Sequence, residues 1–178
     1  MLIKPSERLT YRLMDMSDAD LLFELDQDPK VMEFINKGKP SSMEDIQNSL
    51  LPRLKSYLNP DKGWGIWEVR ISKTNEYIGW VLTRPMDFFS DAPQLDNIEL
   101  GWRFKSHCWG QGYATESAKH AMEQLAIKTN IKRFCAIAVP ENKGSIKVME
   151  RLGMHYIKTY TVSDPLFTAE VVYYECNV

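Results

Sequence analysis

The chain has 178 residues, of which 22 are basic and 24 acidic, so its formal net charge is −2. This length suits a single domain over residues 1–178, since domains commonly contain about 100–200 residues. The 44% hydrophobic and 26% charged fractions exclude wholesale disorder. Because the basic surplus of a general nucleic-acid-binding protein is missing, we expect no direct nucleic-acid partner.

Cysteine usage and apolar runs exclude further classes. Cys108, Cys135 and Cys176 are odd in number and far apart, and no Cys-x-x-Cys or His-x-x-x-His spacing occurs. We therefore expect no zinc site and a reducing compartment. The first residues lack the apolar core of a signal peptide, and the longest apolar run, at 134–139, is far shorter than the ~20 residues that span a bilayer. These observations predict a cytoplasmic protein without a membrane partner.

Hydrophobic periodicity predicts the elements in chain order, with period-two alternation for strands and three-to-four-residue spacing for helices. In the first half the predicted elements are strand 8–14, helix 17–26, helix 42–57, and strands 64–71 and 77–83. In the second half they are strand 97–104, helix 112–128, strand 133–139, helix 142–152, and strands 156–162 and 170–176. This order indicates one mixed α/β domain without repeats or linkers.

Individual residues define several predicted boundaries. Ser17 can cap the first helix, which Asp28-Pro29 should end, and Pro52 should kink the second helix. Residues 85–96 are polar except for Phe88 and Phe89, and are predicted to form a loop.

The segment between strand 97–104 and helix 112–128 combines glycines with a helix start. It reads Ser106-His107-Cys108-Trp109-Gly110-Gln111-Gly112-Tyr113-Ala114-Thr115. The two glycines and the alanine let the backbone approach a ligand closely, while the helix start offers unpaired N–H groups and a partial positive charge. The turn therefore suits a pyrophosphate. The alternative is a strand-to-helix turn in which the glycines serve only the chain reversal.

Two common phosphate-binding motifs do not fit this turn. A Walker loop requires Gly-Lys-Ser/Thr, which the chain lacks. The dinucleotide fingerprint requires a third small residue three positions after Gly112, where Thr115 stands, and prefers an early βαβ unit. An enzyme that binds NAD or a nucleotide sugar is therefore disfavoured.

Two blocks of sequence resemble the GNAT superfamily of N-acetyltransferases. Residues 109–114, Trp-Gly-Gln-Gly-Tyr-Ala, resemble its acetyl-CoA pyrophosphate loop, Gln/Arg-x-x-Gly-x-Gly/Ala. Trp109 replaces the usual Gln/Arg, as is common in the branch of RimJ/RimL-like ribosomal-protein N-acetyltransferases, which also tends to continue Tyr-Ala-Thr-Glu as residues 113–116 do. Asn142 to Ile146 and then Val148 to Met154 resemble the family's Asn-x-x-Ala/Ser followed by Glu-Lys-Leu-Gly-Phe.

The resemblance implies a single-domain GNAT-like fold of the α/β (α+β) class. Its mixed, mostly antiparallel sheet is flanked by helices, and its fourth strand carries a bulge and splays from the fifth. Acetyl-CoA is the implied co-substrate, and no metal is expected. Its pyrophosphate would contact Gln111, Gly112, Tyr113, Ala114 and Thr115, and Trp109 and Gly110 belong to the same cofactor-binding loop. Its pantetheine arm would contact Trp102, Arg103, Phe104 and Asn142. A plain N-cap is the alternative role of Asn142.

Acetylation of an amine by a thioester requires a deprotonated amine, stabilisation of the oxyanion and a proton for the leaving sulfur. Many family members supply that proton from a tyrosine seven residues after the helix asparagine. Here Met149 occupies this position, and Tyr156 would have to reach in from the next strand. The RimJ/RimL-like branch places the proton donor on a serine, which makes Ser145 the candidate acid. Its alternative role is that of a small polar residue in a first helical turn.

Family members often carry a glutamate in the fourth strand that deprotonates the amine through water, and Glu99 stands there. The alternative is that Glu99 pairs with a neighbouring arginine, for example Arg103, two residues further on the same face of the strand. Asp164 is the second candidate base. The histidines, for their part, are expected to have surface or structural roles.

The resemblance implies an acetyl-CoA-dependent N-acetyltransferase that works by direct transfer in a ternary complex. The implied acceptor amine is a protein N-terminus of the RimJ/RimL-like type, placed between the N-terminal helices and the loop around Phe88-Phe89. Small-molecule amines, such as a polyamine or an aminoglycoside, are the alternative acceptors. A CoA-binding module without transfer activity is the alternative from another class, and a homodimer is left open.

Overall fold

The computed structural model describes residues 1–164 and 167–178. The strands are β1 (Leu9–Leu13), β2 (Gly65–Ile71), β3 (Tyr77–Met86), β4 (Gln94–Phe104), β5 (Arg133–Ala138), β6 (His155–Asp164) and β7 (Phe167–Asn177). The helices are α1 (Ala19–Leu25), α2 (Pro29–Asn36), α3 (Met43–Asp45), α4 (Leu51–Tyr57), α5 (Tyr113–Thr129) and α6 (Lys143–Arg151). A π-helical turn, Ile46–Leu50, joins α3 to α4, and a 3-10 turn, Ser106–Cys108, follows β4.

The strands form one seven-stranded sheet in the order β1-β2-β3-β4-β5-β7-β6. Every neighbouring pair is antiparallel except β4 and β5, which run parallel. The parallel pair is possible because α5 crosses over between the two strands. The predicted fold class, a mixed and mostly antiparallel sheet flanked by helices, is confirmed.

The parallel pair is joined over only part of its length. Asn97, Ile98 and Glu99 pair with β5, whereas β4 continues to Phe104 with no partner on that side among residues 1–164 and 167–178. On its other side β4 stays in regular register with β3 from Ile98 to Phe104, and the irregularity lies at its start, between Gln94 and Ile98. The two strands therefore splay as expected, with the bulge before the splayed half rather than within it.

Helices cover both faces of the sheet. On one face the predicted stripe of α5, Ala118, Ala121, Met122 and Leu125, packs in the same cluster as Ile98, Leu100 and Phe104 of β4. On the other face α1 and α4 form a second apolar cluster with Ile66 and Tyr77 of the sheet. Burial of these side chains supplies the main favourable free energy of folding. In the described part of the chain, no helix is long and apolar enough to cross a membrane.

The N-terminal helices differ from the prediction at two points. Asp28-Pro29 does not only end a helix, because the Asp28 side chain accepts a hydrogen bond from the Lys30 N–H and Pro29 begins α2. Proline is favourable in the first turn, where its missing N–H leaves no hydrogen bond unmade. The predicted cap Ser17 is also wrong, since Asp18 stands at the N-cap of α1 and Ser17 hydrogen-bonds Asp15 instead.

The predicted loop at 85–96 is shorter in the structure. Pro85 and Met86 extend β3, and Gln94 to Asp96 begin β4. The polar composition of this segment hid both strand ends, because strand residues near an edge need no apolar alternation. Pro52 follows the π-helical turn, so the predicted irregularity of helix 42–57 takes the form of an inserted wide turn.

Candidate active site

A cleft of about 490 Å³ opens where β4 leaves β5. This volume lies within the ~300–1,000 Å³ typical of small-molecule sites. Its walls are the splayed half of β4, the turn before α5, the start of α6 and one side of α2. The lining includes eleven of the residues that were expected there: Trp102, Arg103, Phe104, Trp109, Gly110, Gly112, Tyr113, Ala114, Thr115, Asn142 and Ser145.

The turn before α5 presents its backbone to the cleft. Gly110 and Gly112 have φ angles of 76° and 81°, a region that favours glycine. No side chain caps α5 within the described residues, so the N–H groups of its first turn are left to a ligand. A Cβ added at Gly110 would meet nothing within 4 Å, which shows that open space adjoins the backbone there. This arrangement fits an anionic ligand held by main-chain donors.

Arg8 holds this turn in place from outside the cleft. Its Nη1 donates to the carbonyl oxygen of Gln111 at 2.9 Å, its guanidinium lies 4.5 Å above the ring of Tyr113, and its Nε donates to Glu116 at 2.6 Å. Burial raises the pKa of Glu116, but hydrogen bonds from Ser6 and Arg8 outweigh it and leave that pKa lowered. Sequence reasoning missed Arg8 because it is distant along the chain from the turn.

One expected cofactor residue faces away from the cleft. The side chain of Gln111 donates to the carbonyl oxygen of His107 at 3.2 Å, and Gln111 does not line the cavity. Sequence reasoning also missed α2, yet its residues Lys30, Val31 and Phe34 line the cleft.

The start of α6 brings a serine hydroxyl to the cleft. Asn142 Oδ1 accepts a hydrogen bond from the Ser145 N–H at 3.0 Å, so Asn142 is an N-cap, as its alternative role required. The indole N–H of Trp102 donates to Ser145 Oγ at 3.3 Å. Met149 is fully buried in the core, where a methionine packs and a tyrosine hydroxyl would lack water.

Tyr156 does not replace the missing tyrosine in this structure. Its ring is 53% exposed on the edge strand β6, and its hydroxyl hydrogen-bonds the side chain of Thr159 at 3.0 Å. It also contacts Tyr174 edge-on and is absent from the cleft lining. Ser145 is therefore the candidate proton donor that the cleft contains in the place where the family motif puts one.

Glu99 lies at the apex of the splay, since it is the last β4 residue paired with β5. Its side chain lies on the face of the sheet opposite Trp102, because successive strand residues alternate between the two faces. Glu99 is 8% exposed and stands opposite Arg84 in the register of β3 and β4. Arg84 Nη2 lies 2.5 Å from Glu99 Oε2. Burial lowers the pKa of Arg84, but the adjacent carboxylate more than offsets this and raises it.

Glu99 therefore pairs with a neighbouring arginine, as its alternative role required, but that arginine is Arg84 and not Arg103. Arg103 instead lies 2.5 Å from Asp26 at the end of α1 and stacks over Trp80 with 5.1 Å between the guanidinium carbon and the ring centroid. Arg84 and Arg103 therefore have separate carboxylate partners. Register explains the difference, because Arg84 is the residue directly opposite Glu99 on the neighbouring strand.

Aromatic rings and a second ion pair surround this face of the apex. Tyr57 of α4 contacts Phe88 and Phe89 edge-on, and burial raises the pKa of its hydroxyl to about 12. Arg53 pairs with Asp164 at the end of β6, and its guanidinium lies 3.5 Å above the ring of Phe89. We call this group of residues, together with Arg84 and Glu99, the acceptor face.

The splayed parallel pair and the glycine turn at a helix start together form a cleft between two strands of the sheet. The family model for the acetyltransferase (GNAT) domain matches residues 8–155. The chain therefore belongs to the GNAT acetyltransferase family, whose members are N-acetyltransferases, and the predicted membership of the GNAT superfamily is confirmed.

Two curated relatives align with most of this chain. An uncharacterized protein, YkkB of Bacillus subtilis, is 29% identical over 86% of this chain and 86% of its own length. The FsC-acetyl coenzyme A-N(2)-transacetylase of Aspergillus fumigatus is 29% identical over 79% of this chain and 60% of its own length.

Solved structures share the fold at low sequence identity. A GNAT-family acetyltransferase from Bacillus anthracis has a TM-score of 0.76 at 24% identity, covering 99% of this chain and 98% of its own. The aminoglycoside acetyltransferase AAC(6')-Ib with coenzyme A and kanamycin has a TM-score of 0.76 at 18% identity, covering 95% and 94%. The ribosomal alpha-N-protein acetyltransferase RimL with coenzyme A has a TM-score of 0.72 at 17% identity, covering 100% and 98%.

Proposed function

We propose that this protein transfers an acetyl group from acetyl-CoA to a protein N-terminal α-amine, in the manner of the RimJ/RimL-like branch. The observation that carries the choice of acceptor is the charge balance of the acceptor face. Both of its carboxylates, Glu99 and Asp164, are paired with arginines, Arg84 and Arg53.

Each part of acetyl-CoA can be assigned to a part of the cleft that offers matching hydrogen-bonding groups or charge. The pyrophosphate binds the N–H groups at Gly110 to Thr115, at the positive end of α5, which no side chain of the described residues caps. The amide groups of the pantetheine arm bind along Trp102 to Phe104, the part of β4 that lacks a strand on its β5 side. Lys30, Lys147 and Arg151 on the cleft walls add positive charge for the remaining phosphate.

The two proton-handling residues of the reaction lie on opposite faces of the sheet at Glu99, the point where β4 and β5 separate. On the acceptor face Glu99 removes the proton of the attacking amine through water, and Arg84 fixes the carboxylate in place. On the cofactor side Ser145, oriented by Trp102, hydrogen-bonds the leaving sulfur as the thioester opens. An α-amine has a pKa near 7.7–8, so it needs less help from a base than a lysine amine near 10.4.

The acceptor face suits a peptide amine better than a polycation. A site for an aminoglycoside needs surplus negative charge to offset several ammonium groups. Here each carboxylate is already neutralised by an arginine, and the rings of Tyr57, Phe88 and Phe89 offer apolar contact. Although the neighbour AAC(6')-Ib was solved with kanamycin, the charge of this face supports the acceptor class of the other neighbour, RimL.

An acetylation assay over a panel of amines tests this function. We expect release of CoA thiol with peptides that begin with Ala or Ser, at a kcat/KM at least tenfold above that for kanamycin or spermidine. The matched control is the same peptide with a blocked N-terminus and an internal lysine, which should react at least tenfold more slowly. Preference for kanamycin would contradict the acceptor class, and CoA binding by calorimetry without thiol release from any amine would indicate the non-catalytic module.

Replacing Ser145 by alanine should lower kcat at least tenfold, equivalent to about 1.4 kcal/mol, because the leaving sulfur loses its hydrogen-bond partner. The N-cap of α6 uses the backbone N–H of Ser145, so the thermal midpoint should not change. Steady-state kinetics with acetyl-CoA and the best peptide measure the effect. An unchanged kcat at every pH would remove Ser145 from the mechanism.

A further inference from the structure

We propose that Glu76, His107 and Cys108 form a binding site for one zinc-class divalent ion on the outer side of the turn that precedes α5. These residues belong to two segments that are adjacent only in the folded chain. Glu76 stands in the turn between β2 and β3, and His107 and Cys108 are in the 3-10 turn after β4. The sequence spacing that predicted no zinc site cannot show this cluster, because Glu76 and His107 are 31 residues apart.

The donor atoms are close to the geometry of such a site. One ligand atom from each residue lies within 4.8 Å of the other two, and His107 Nε2 is 3.0 Å from Glu76 Oε1. In a tetrahedral zinc site with bonds of about 2.0–2.3 Å, neighbouring ligand atoms are about 3.5 Å apart. Movements of the ligand atoms by about 1 Å would therefore bring all three onto one ion.

Two of the proposed ligand side chains are open to solvent, and a backbone hydrogen bond holds the two segments that carry the ligands together. The side chains of His107 and Glu76 are 63% and 43% exposed, so an ion reaches them from solvent and water can fill a fourth position. Cys108 is buried beneath them and supplies the sulfur from the inner side. The Lys105 N–H donates to the Ile78 carbonyl at 2.9 Å, which fixes the two segments to each other before an ion binds.

The ligand types select the ion. Thiolate and imidazole favour zinc and similar transition metals, whereas magnesium and calcium prefer oxygen ligands. As the zinc–sulfur bond forms, the Cys108 thiol releases its proton to solvent, and the hydrogen bond between His107 and Glu76 is exchanged for two metal bonds. Because Cys108 also lines the cofactor cleft, the ion would tie the β2–β3 turn to the outer wall of that cleft.

Cobalt(II) titration of the full-length protein tests the site without any assay of activity. We expect one equivalent of Co²⁺ to produce a thiolate-to-cobalt charge-transfer band that Zn²⁺ abolishes and that excess Mg²⁺ leaves unchanged. Cys108→Ser should lose the band, and His107→Ala and Glu76→Gln should each weaken Zn²⁺ binding at least tenfold in a chelator competition. The matched controls, Cys176→Ser and His155→Ala, should bind as the wild type does.

Two results would overturn the proposal. One is a wild-type protein that binds no Co²⁺ at micromolar concentration, and the other is a band that survives in Cys108→Ser. Since Cys108 is buried, its serine variant could fold poorly, and His107→Ala decides the question because that side chain is exposed. Binding that is unchanged in His107→Ala and lost in His155→Ala would place the ion elsewhere. None of these readouts depends on the proposed acceptor.

Discussion

Replacing Glu99 by glutamine should lower kcat about 100-fold, within the 10²–10⁴-fold range of general-base catalysis, while the affinity for CoA stays unchanged. Glutamine keeps the size of the side chain but cannot take a proton from the attacking amine. The acidic limb of the pH–rate profile should also become less steep, since only ionisation of the amine remains to shape it. Steady-state kinetics with a saturating peptide acceptor, from pH 5 to 9, measure both effects.

The control variant for Glu99→Gln should disrupt a buried ion pair that lies outside the candidate active site. Glu68 serves this purpose, since it is 2% exposed on β2 and pairs with Arg12 and Arg70. Glu68→Gln should be destabilised because Arg70 loses its carboxylate partner and Arg12 keeps only Asp18, but its kcat should stay within threefold of the wild type. If Glu99→Gln kept a wild-type kcat or an equally steep acidic limb, Glu99 would be excluded as the base, and Asp164 would be tested next.

Replacing Gly110 by alanine should weaken CoA binding about 10- to 100-fold. Its φ of 76° is unfavourable for alanine, and the added methyl group would stand in open space beside the cleft. The backbone would lose close contact with the pyrophosphate, and a hydrogen bond to a charged group contributes about 1.5–3 kcal/mol. Calorimetric titration with CoA and the KM for acetyl-CoA report this loss.

Gly153 provides a matched control for the strain itself. It has a φ of 80°, a Cβ there would also meet nothing within 4 Å, and it follows α6 outside the cleft lining. Gly153→Ala should therefore lose about as much stability as Gly110→Ala, of the order of 1–2 kcal/mol, with CoA binding intact. Equal losses of CoA affinity in both variants would show that backbone strain alone is responsible and that Gly110 has no part in the site.

Most residues that line the cleft could be predicted because the information for them is local. The glycine turn, the helix start and the Asn142-to-Ser145 block each lie within a few consecutive residues, and their motif order locates the cleft. What the sequence did not show is how this turn is supported. Arg8 reaches Gln111 and Glu116 from the other end of the chain, and no local pattern records a contact of that kind.

The acceptor face was less predictable because it depends on register. The partner of Glu99 was expected within its own strand, at Arg103, whereas Arg84 is opposite it on β3. Deriving that pair requires the register of the β3–β4 hairpin, whose strand ends lie inside a polar segment without alternation. For α2 a local signal did exist, since an aspartate followed by proline is typical of a helix start as well as of a helix end.

The π-helical turn at Ile46–Leu50 has a consequence for the acceptor face. A π-helical turn contains one residue more than an α-helical turn, and each residue of an α-helix rotates the following side chains by about 100°. Without that extra residue, the side chains of α4 would point about 100° away from their present direction. Arg53 would then leave Asp164, and Tyr57 would leave Phe88 and Phe89. One extra residue in the helical turn before α4 thus determines that Arg53 and Tyr57 are part of the acceptor face.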